Sequence, residues 1–352
     1  MPGPKEILKS LFYYLGFYSC VSRMRKPREN RLLILMYHDI VEDGSVPKTR
    51  PSTGKPTRSQ FSLHMQMLKR KYRVMTIEDA IAEVKATGHL SEPTASITFD
   101  DGYASTYGIA FPVLKEHGLT ATVYLPTGWI SGDVGPWWLL LLDMARQCDK
   151  SMLGAEKIKA VEEATGIKMG ESPAGSGDVQ SLCGQMVSRI RAELECATEE
   201  TISRVMENLK QVLFGSTGYH RKIEASMSWE QAKEMAEAGI RFGAHSMSHV
   251  NVGRVDADRA EREILGSKSE IESRLSQPVT GFAYPYGKDV ETYPRVAPIL
   301  EKLGFDYAVT ALPGNFTPGQ DTFMIRRTTL PATASRGQIG CHLTLDYLSE
   351  NE

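Results

Sequence analysis

Two polar blocks, each directly after a strand-like run, carry the residue types best suited to chemistry. Residues 95–99 lead into Asp100-Asp101-Gly102, and residues 241–244 lead into the pentapeptide His-Ser-Met-Ser-His at 245–249. One Asp and two His form a ligand set for a divalent metal that leaves positions open for water, and a second Asp beside them can take a proton. This combination predicts metal-assisted hydrolysis.

Each block taken alone also has an ordinary structural explanation. Asp-Asp-Gly is a common turn sequence, because Asp bonds its own backbone and Gly tolerates a positive φ. Two His residues four positions apart share one face of a helix, or are simply a solvated pair. Because both blocks follow strand-like runs, as active sites of α/β proteins require, their combination favours a functional site.

Length and composition restrict the class of protein. A chain of 352 residues can bury one large core, either as a single barrel-sized domain or as two smaller domains. With 41% hydrophobic and 24% charged residues, the chain is predicted to be globular rather than disordered. The net charge of −2 argues against a general nucleic-acid binder, which needs a basic field over one face.

The cysteines indicate a reducing compartment. There are five, an odd number, and they lack the CxxC spacing of metal sites. Burial as small hydrophobic side chains explains them better than catalysis does. They are Cys20, Cys148, Cys183, Cys196 and Cys341.

The N-terminal segment, residues 1–30, has the spacing of an amphipathic helix. Its apolar stretch at 11–18 is too short to span a bilayer, and no cleavage pattern of a secretory signal follows it. Surrounding Lys and Arg residues leave two interpretations, an interfacial membrane helix or a helix packed on the protein's own body. We expect a cytoplasmic protein, with peripheral contact at the inner membrane face under the first interpretation. The apolar positions are Leu8, Leu11, Phe12, Leu15 and Tyr18.

Short apolar runs alternate with helical patterns along most of the chain. The continuous apolar run at 32–38 is typical of a buried strand in a parallel sheet. Thr76 is a predicted N-cap, and residues 257–275 are predicted to form one charged helix. Repeated βα units predict a parallel sheet or barrel. Further strands are predicted near residues 97, 120–125, 240, 280–283 and 307–310.

This alternation breaks between about residues 132 and 222. A Trp-Leu run gives way to a Gly/Ser-rich patch at 170–177 and then to polar helical sequence. We interpret this region as a mainly helical insertion. Trp137 and Trp138 are candidates for gripping a substrate or partner, although burial within the insertion is the better explanation.

Three blocks together resemble the polysaccharide deacetylases that carry the NodB homology domain, also called carbohydrate esterase family 4. They are Thr-Phe-Asp-Asp-Gly at 98–102, His-Ser-Met-Ser-His at 245–249 and Phe-Ala-Tyr-Pro-Tyr-Gly at 282–287. Their order and spacing are similar to the family's once the insertion is allowed, and the resemblance covers roughly residues 31–330. We expect a deacetylase domain at 31–345, with features similar to poly-N-acetylglucosamine deacetylases.

The resemblance implies an α/β fold, a distorted (β/α) barrel of about seven parallel strands with its site at the C-terminal strand ends. It also implies that Asp101, His245 and His249 bind one divalent metal ion, which we expect to be zinc. Asp100 is then the catalytic base that takes a proton from the activated water, and hydroxide attacks an acetamide carbonyl.

The third block is implied to complete the site. By resemblance, the backbone N–H of Tyr286 stabilises the oxyanion, and Tyr284, Pro285 and Tyr286 line the sugar pocket. Without the other two blocks, an ordinary turn would be the preferred explanation for Tyr-Pro-Tyr-Gly.

The third block also departs from the family. It usually carries an Arg that orients the base, but Ala283 stands in that position. Arg327, or failing that Arg326, is the candidate to supply the charge from another strand. Ordinary surface cations are the alternative explanation for both.

The general acid is a second departure, because the family's C-terminal Leu-x-His block is not evident. His342 lies in what reads as a polar tail and is a poor substitute. His38, at the end of the first predicted strand, is the better candidate, since deacetylases of the poly-N-acetylglucosamine type have a similar Tyr-His there in the acid role. The alternative is a core His bonded to a carbonyl.

The function favoured by the resemblance is removal of N-acetyl groups from amino sugars of a polysaccharide or a lipid-linked glycan precursor. An O-acetyl esterase or small-amide hydrolase using the same site is one alternative. A catalytically inactive carbohydrate-binding protein is another. Glycosidic hydrolysis by Asp100 and Asp101 is less favoured, because adjacent residues rarely place two carboxyl groups across one bond.

Overall fold

The computed structural model describes residues 30–44, 55–132, 136–148, 155–169, 179–195, 197–215, 219–220 and 226–348. The amphipathic helix predicted for residues 1–30 falls almost wholly outside these ranges, so the helix and its membrane contact stay predictions. Within the described ranges, no helix has both the length and the apolar character needed to cross a membrane.

A seven-stranded sheet lies at the centre of the larger of two compact units, which comprises the described residues up to 131 and from 226 onward. All strand pairs are parallel, in the order β1-β3-β4-β5-β6-β7. The short β2 pairs with the beginning of β3, and β4 pairs with its end. The strands are β1 (Leu32–Tyr37), β2 (Arg73–Val74), β3 (Thr94–Phe99), β4 (Thr122–Leu125), β5 (Arg241–Ala244), β6 (Gly281–Ala283) and β7 (Tyr307–Val309).

One irregular segment, residues 325–328, connects the two edge strands of this sheet. Ile325 forms a parallel bridge with Val309 of β7, and Thr328 forms one with Leu35 of β1. Backbone hydrogen bonds of 2.7 to 3.0 Å accompany both bridges. The curled sheet with its surrounding helices is a distorted (β/α) barrel, which confirms the predicted fold.

The helices of this unit follow the strands in βα alternation. They are α1 (Arg58–Lys71), α2 (Ile77–Thr87), a π-helical turn (Thr106–Ala110) continuing into α3 (Phe111–His117), and α4 (Thr127–Ser131). After the insertion come α9 (Trp229–Glu237), α10 (Ala257–Leu275), a 3₁₀ turn (Tyr293–Arg295), α11 (Ala297–Lys302) and α12 (Arg336–Leu348).

Capping side chains set several helix starts. The Thr76 hydroxyl accepts the Asp79 amide at 3.1 Å, which confirms the predicted cap of α2. Asp256 caps α10 by accepting from the Arg259 amide at 2.9 Å. α10 begins and ends as predicted from its charged, amphipathic pattern.

The strands are buried on both faces, as their continuous apolar sequences predict. In β1, Leu33 and Leu35 join the cluster that packs against the helices, while Leu32 and Ile34 join a second cluster. In that second cluster the hydroxyls of Tyr124 and Tyr307 lie 2.9 Å apart. Such two-sided burial is typical of parallel strands covered by helices.

Two predictions for this unit need correction. The region around His342 was expected to be a polar tail, but it belongs to α12, where the neighbouring Cys341 and Leu343 are buried. Ile339 and Leu343, four positions apart, give this helix a buried face between its polar residues. The two-residue β2 was not predicted, because so short a strand carries no periodic signal.

The second compact unit comprises the described residues between 132 and 225. Its helices are α5 (Trp137–Gln147), α6 (Ala155–Thr165), α7 (Val179–Leu194) and α8 (Glu199–Phe214). Trp137 is buried, as are Val161 of α6, Ile190 of α7 and Leu209 of α8. Burial therefore accounts for Trp137, as the sequence analysis preferred.

Candidate active site

The candidate site residues lie where parallel strands end. His38 directly follows β1, Asp100 directly follows β3, and His245 directly follows β5. Because the carboxyl ends of parallel strands meet at one edge of a sheet, residues from distant parts of the chain come together there. Arg327 reaches the same edge from the segment 325–328.

Asp101, His245 and His249 form a compact group of candidate metal ligands. One ligand atom from each lies within 4.8 Å of the others, and all three residues are buried. Oδ1 of Asp101 lies 3.5 Å from Nε2 of His245 and 3.3 Å from Nε2 of His249. This buried oxygen accepts no hydrogen bond of normal geometry from the described residues. A carboxylate oxygen and two imidazole nitrogens directed at one point fit a divalent cation.

A second contact fixes the tautomer of His245. Its Nδ1 lies 2.7 Å from the carbonyl oxygen of Ala283, and a carbonyl can only accept. Nδ1 therefore carries the hydrogen, which leaves the Nε2 lone pair directed toward Asp101 in neutral His245. A backbone acceptor of this kind is the usual support of a metal-binding His.

Electrostatics inside the group favour an ionised Asp101. Burial raises the pKa of Asp101, but the neighbouring imidazoles of His245 and His249 outweigh it and hold the pKa well below its usual value. Burial lowers the pKa of both histidines. For His245 the nearby carboxylates of Asp101 and Asp100 outweigh burial and raise the pKa, whereas burial prevails for His249 and lowers it.

The backbone around the group is unusual. Asp101, Ser246, His249 and Tyr286 have φ values of 71°, 60°, 56° and 65°. Residues other than Gly rarely adopt this left-handed backbone conformation. Where they do, the residues are often found at functional sites. The pentapeptide 245–249 is a loop rather than a helix, so the helical interpretation of the His pair is wrong.

The catalytic-base candidate, Asp100, is joined to Arg327 by two hydrogen bonds. Nη1 donates to Oδ1 at 2.7 Å and Nη2 donates to Oδ2 at 2.6 Å. Arg327 also donates from Nε to the Thr310 carbonyl at 2.7 Å and from Nη1 to the Thr98 hydroxyl at 3.1 Å. Both charged groups are buried, at 3% and 1% exposure. Burial raises the pKa of Asp100, but the Arg327 guanidinium outweighs it and the net pKa is lowered.

This pair places an Arg beside Asp100 although the third block has Ala283 in the usual position. In the sequence, only its charge suggested Arg327 for this position. The alternative, that Arg327 is an ordinary surface cation, is wrong because its side chain is buried. Arg326, the second candidate, does not take this position.

His38 lies at the open side of Asp100. Its Nε2 is 4.0 Å from Oδ2 of Asp100, and its side chain is 47% exposed. This exposure excludes the alternative of a buried core His. The neighbouring Asp39 accepts hydrogen bonds from Lys55 and Ser105.

The third block divides into a buried part and a part that faces the site. Tyr284 is 1% exposed and stacks on Tyr293 with ring centroids 3.9 Å apart, and Pro285 is buried too. The Tyr284 side chain is a packing residue, so its predicted contact with a sugar needs correction, whereas the contact of Pro285 stays a prediction. The Tyr284 amide donates to Val309, which continues the strand ladder and directs the side chain into the core. The Tyr286 ring, by contrast, is partly exposed and lies 4.9 Å from the ring of His249.

Glu263, which lies on α10, was not predicted to belong to the site. Its carboxylate accepts hydrogen bonds from Met247 and Ser248 of the 245–249 loop. One signal was available in the sequence. Glu263 is three positions after Ala260, on the face of α10 that the apolar pattern predicts to be buried. A buried acidic side chain needs a hydrogen-bonding or charged partner.

Comparisons with known proteins agree with this geometry. The sequence matches the family described as polysaccharide deacetylase over residues 87–152 and 195–308, about half of the chain. The Bacillus subtilis protein YxkH, assigned as a polysaccharide deacetylase, is 22% identical over 314 residues, which cover 89% of this chain and 76% of that protein.

Solved structures share the fold. The Streptococcus pyogenes deacetylase PplD, in complex with acetate, superimposes with a TM-score of 0.57 at 18% identity, over 88% of this chain and 96% of that one. A de-N-acetylase from Aggregatibacter actinomycetemcomitans superimposes with a TM-score of 0.53 at 14% identity, over 87% and 97%. The chain therefore belongs to the polysaccharide deacetylase family and is a hydrolase that deacetylates carbohydrates.

Proposed function

We propose that this enzyme is a metal-dependent N-deacetylase acting on amino sugars of a polysaccharide or a lipid-linked glycan precursor. The proposal rests on two groups of residues that lie next to each other at one edge of the sheet. One is the buried cluster of Asp101, His245 and His249, which has the donor set of a metal site. The other is Asp100, a carboxylate held ready by Arg327.

Asp101, His245 and His249 are the proposed ligands of one divalent cation, with zinc as the expected metal. Imidazole nitrogen and carboxylate oxygen are common zinc ligands, and three protein ligands leave a further position open, as in catalytic zinc sites. When bound, such a cation supplies Lewis-acid activation of water and of the carbonyl under attack.

Asp100 is the proposed general base. Its lowered pKa keeps it ionised at neutral pH, so that it accepts a proton from the attacking water. Arg327 holds both carboxylate oxygens, which sets the orientation of the base in the absence of the Arg that the third block usually carries. The pair also keeps the buried negative charge compensated.

His38 is the proposed general acid. The sugar amine is a poor leaving group unless its nitrogen is protonated. The exposed imidazole of His38, which lies next to Asp100, is suitably placed to donate that proton. The backbone N–H of Tyr286 is the proposed donor to the oxyanion that develops on the acetamide carbonyl. The ring of Tyr286 is the part of the third block available to a sugar.

Two features support an active N-deacetylase over the alternatives. The solved structures in the comparison include a protein described as a de-N-acetylase, which favours an N-acetyl substrate over an O-acetyl ester. The alternative of an inactive carbohydrate-binding protein rested on the missing Arg of the third block. Arg327 removes that ground, because it pairs with the base from another segment.

The test is acetate release from N-acetylglucosamine oligomers and from lipid-linked acetamido sugars. Metal-stripped, zinc-restored and Asp100→Asn proteins are assayed in parallel, and an O-acetylated sugar serves as the ester substrate. We expect release that requires both zinc and Asp100, with Asp100→Asn still binding zinc stoichiometrically. Equal release by the metal-stripped enzyme would refute the metal-dependent mechanism. Release from the ester alone would favour the esterase alternative.

A further inference from the structure

We propose that Glu263 is a positioning residue that holds the loop 245–249 in the geometry required for metal binding. Glu263 lies outside the three sequence blocks and is not among the proposed ligands. The inference rests on the proposed function, since it assumes that His245 and His249 are ligands, but the contacts that support it do not involve a metal.

The Glu263 carboxylate uses both oxygens on the loop. Oε2 accepts from the backbone amides of Met247 and Ser248, each at 2.9 Å, and Oε1 accepts from the Ser248 hydroxyl at 2.6 Å. Glu263 is buried, so these hydrogen bonds are shielded from competition with water. Three donors from two consecutive residues therefore converge on one side chain.

The two amides that Glu263 holds lie between two strained positions. Ser246 has a φ of 60° and His249 has a φ of 56°, both in the left-handed region that residues other than Gly rarely adopt. Such conformations persist where the surrounding structure holds them in place. The turn at these positions brings Nε2 of both His245 and His249 to within 3.5 Å of Asp101.

The opposite side of the loop is held by backbone groups. The amide of Thr127 donates to the Ser246 carbonyl at 3.3 Å, and the amide of Gly128 donates to the Met247 carbonyl at 2.9 Å. The loop carbonyls are thus held by the first residues of α4, and the loop amides are held by Glu263. The hydrogen bonds to the loop amides depend on the Glu263 side chain, so a mutation can test them.

The helix that carries Glu263 is itself well anchored. α10 is 19 residues long, is capped by Asp256, and buries Ile264 and Ile271 against the sheet. The loop packs closely on this helix, because a Cβ added to Gly266 would lie 2.1 Å from Sδ of Met247. A carboxylate on a rigid support can transmit the position of the helix to the loop.

Charge and geometry make different predictions for two conservative variants. Glu263→Asp keeps the negative charge but is one methylene shorter, so it cannot reach all three donors. Glu263→Gln loses the charge, yet its amide oxygen can accept from both backbone amides while its amide nitrogen donates to the Ser248 hydroxyl. A positioning role therefore predicts greater damage from Asp than from Gln, and a purely electrostatic role predicts the reverse.

The experiment measures zinc affinity by competition with a chromogenic chelator, and amide hydrogen exchange in the peptide containing residues 245–250. For Glu263→Asp we expect zinc affinity to fall by about 10- to 100-fold, the usual effect of losing an outer support of a metal site. We also expect faster exchange at Met247 and Ser248. Glu263→Gln should retain most of both properties.

Glu261→Gln is the matched control, because Glu261 lies on the same helix but pairs with Lys302 at the surface. It should resemble the wild type in both measurements. Wild-type zinc affinity and exchange in Glu263→Asp, or damage confined to Glu263→Gln, would overturn the proposal. If the wild type binds no zinc, the proposed function fails, and the exchange measurement still decides whether Glu263 holds the loop.

Discussion

Arg327 and Asp100 lie 227 positions apart in the sequence and are joined by two hydrogen bonds of 2.7 and 2.6 Å between buried groups. The planar guanidinium matches both oxygens of the carboxylate, a geometry that Lys cannot reproduce. Since Arg327 also donates to Thr310 and Thr98, its own orientation is fixed. The candidate base is therefore held at both oxygens by Arg327, and the half-exposed His38 lies 4.0 Å from one of them.

Replacing Arg327 by Met should raise the pKa of Asp100, because burial then acts without an opposing charge. The acid limb of the pH profile of kcat/KM should move to higher pH, since the base must lose a proton to act. An uncompensated buried carboxylate should also cost about 3–5 kcal/mol of unfolding free energy. Urea unfolding and the pH profile of acetate release measure these two effects.

Arg327→Lys is the companion variant. It keeps a positive charge but loses the second hydrogen bond, so it should show a smaller movement of the acid limb than Arg327→Met. An acid limb that is unchanged in Arg327→Met would show that Arg327 does not act on the base.

Replacing His38 by Gln should slow deacetylation in a manner that depends on the leaving group. An amine leaves only after protonation, so kcat for an N-acetyl glycan should fall by about 10²- to 10⁴-fold, the usual contribution of a general acid. An aryl acetate has a stable phenolate as its leaving group, which needs no protonation. The variant should therefore hydrolyse an aryl acetate almost as fast as the wild type does. Equal losses on both substrates would contradict the acid role.

Zinc should stabilise the folded enzyme through the Asp101, His245 and His249 group. At a free zinc concentration 100-fold above Kd, binding adds about 2.7 kcal/mol to the unfolding free energy. Because the pKa of His245 is raised, protons should compete with zinc already above pH 6.5, and the stabilisation should weaken as pH falls. Thermal unfolding with and without zinc measures this effect. His249→Ala should lose the stabilisation, and its retention there would place the cation elsewhere.

His64 should make the enzyme less stable in mild acid. It is fully buried, its Nδ1 lies 3.0 Å from the Tyr37 hydroxyl, and burial lowers its pKa to about 4. Below pH 6.5 the unfolded chain binds a proton that the folded His64 does not, so its contribution to stability falls between pH 6.5 and pH 4. The loss should reach about 2 kcal/mol at pH 5.

Urea unfolding at pH 7 and pH 5 tests this contribution. His64→Asn removes the titrating group, so the loss of stability on acidification should be smaller than in the wild type by that amount. His89→Asn, at an exposed position, is the control and should keep the wild-type loss. An identical pH dependence for His64→Asn and the wild type would contradict the prediction.

The sequence predicted well those features that are local and periodic. Continuous apolar runs predicted the buried strands, and Thr76 predicted a helix start, because these signals depend on neighbouring residues. The residues Asp100, Asp101 and His245 were found in the same way, since each follows a strand directly. Such residues share a sheet edge in any parallel barrel.

The features that escaped prediction depend on contacts between distant segments. Tyr284 was expected at the sugar, but the continuation of the β6 ladder turns its side chain into the core. Glu263 carries no motif; its place among apolar helix positions indicates that it needs a partner, but the packing of α10 next to the 245–249 loop is what identifies that partner. Arg327 was predicted to supply the charge beside Asp100, but it lies on an irregular segment without periodicity, so its two hydrogen bonds to the carboxylate were not predicted.

The barrel-closing segment 325–328 also has a consequence for folding. Until this segment docks, the edge strands β1 and β7 remain unbridged and Asp100 has no counter-charge. A buried carboxylate without its partner is unfavourable. We therefore expect closure of the barrel and completion of the pair between Asp100 and Arg327 to occur together when the enzyme folds.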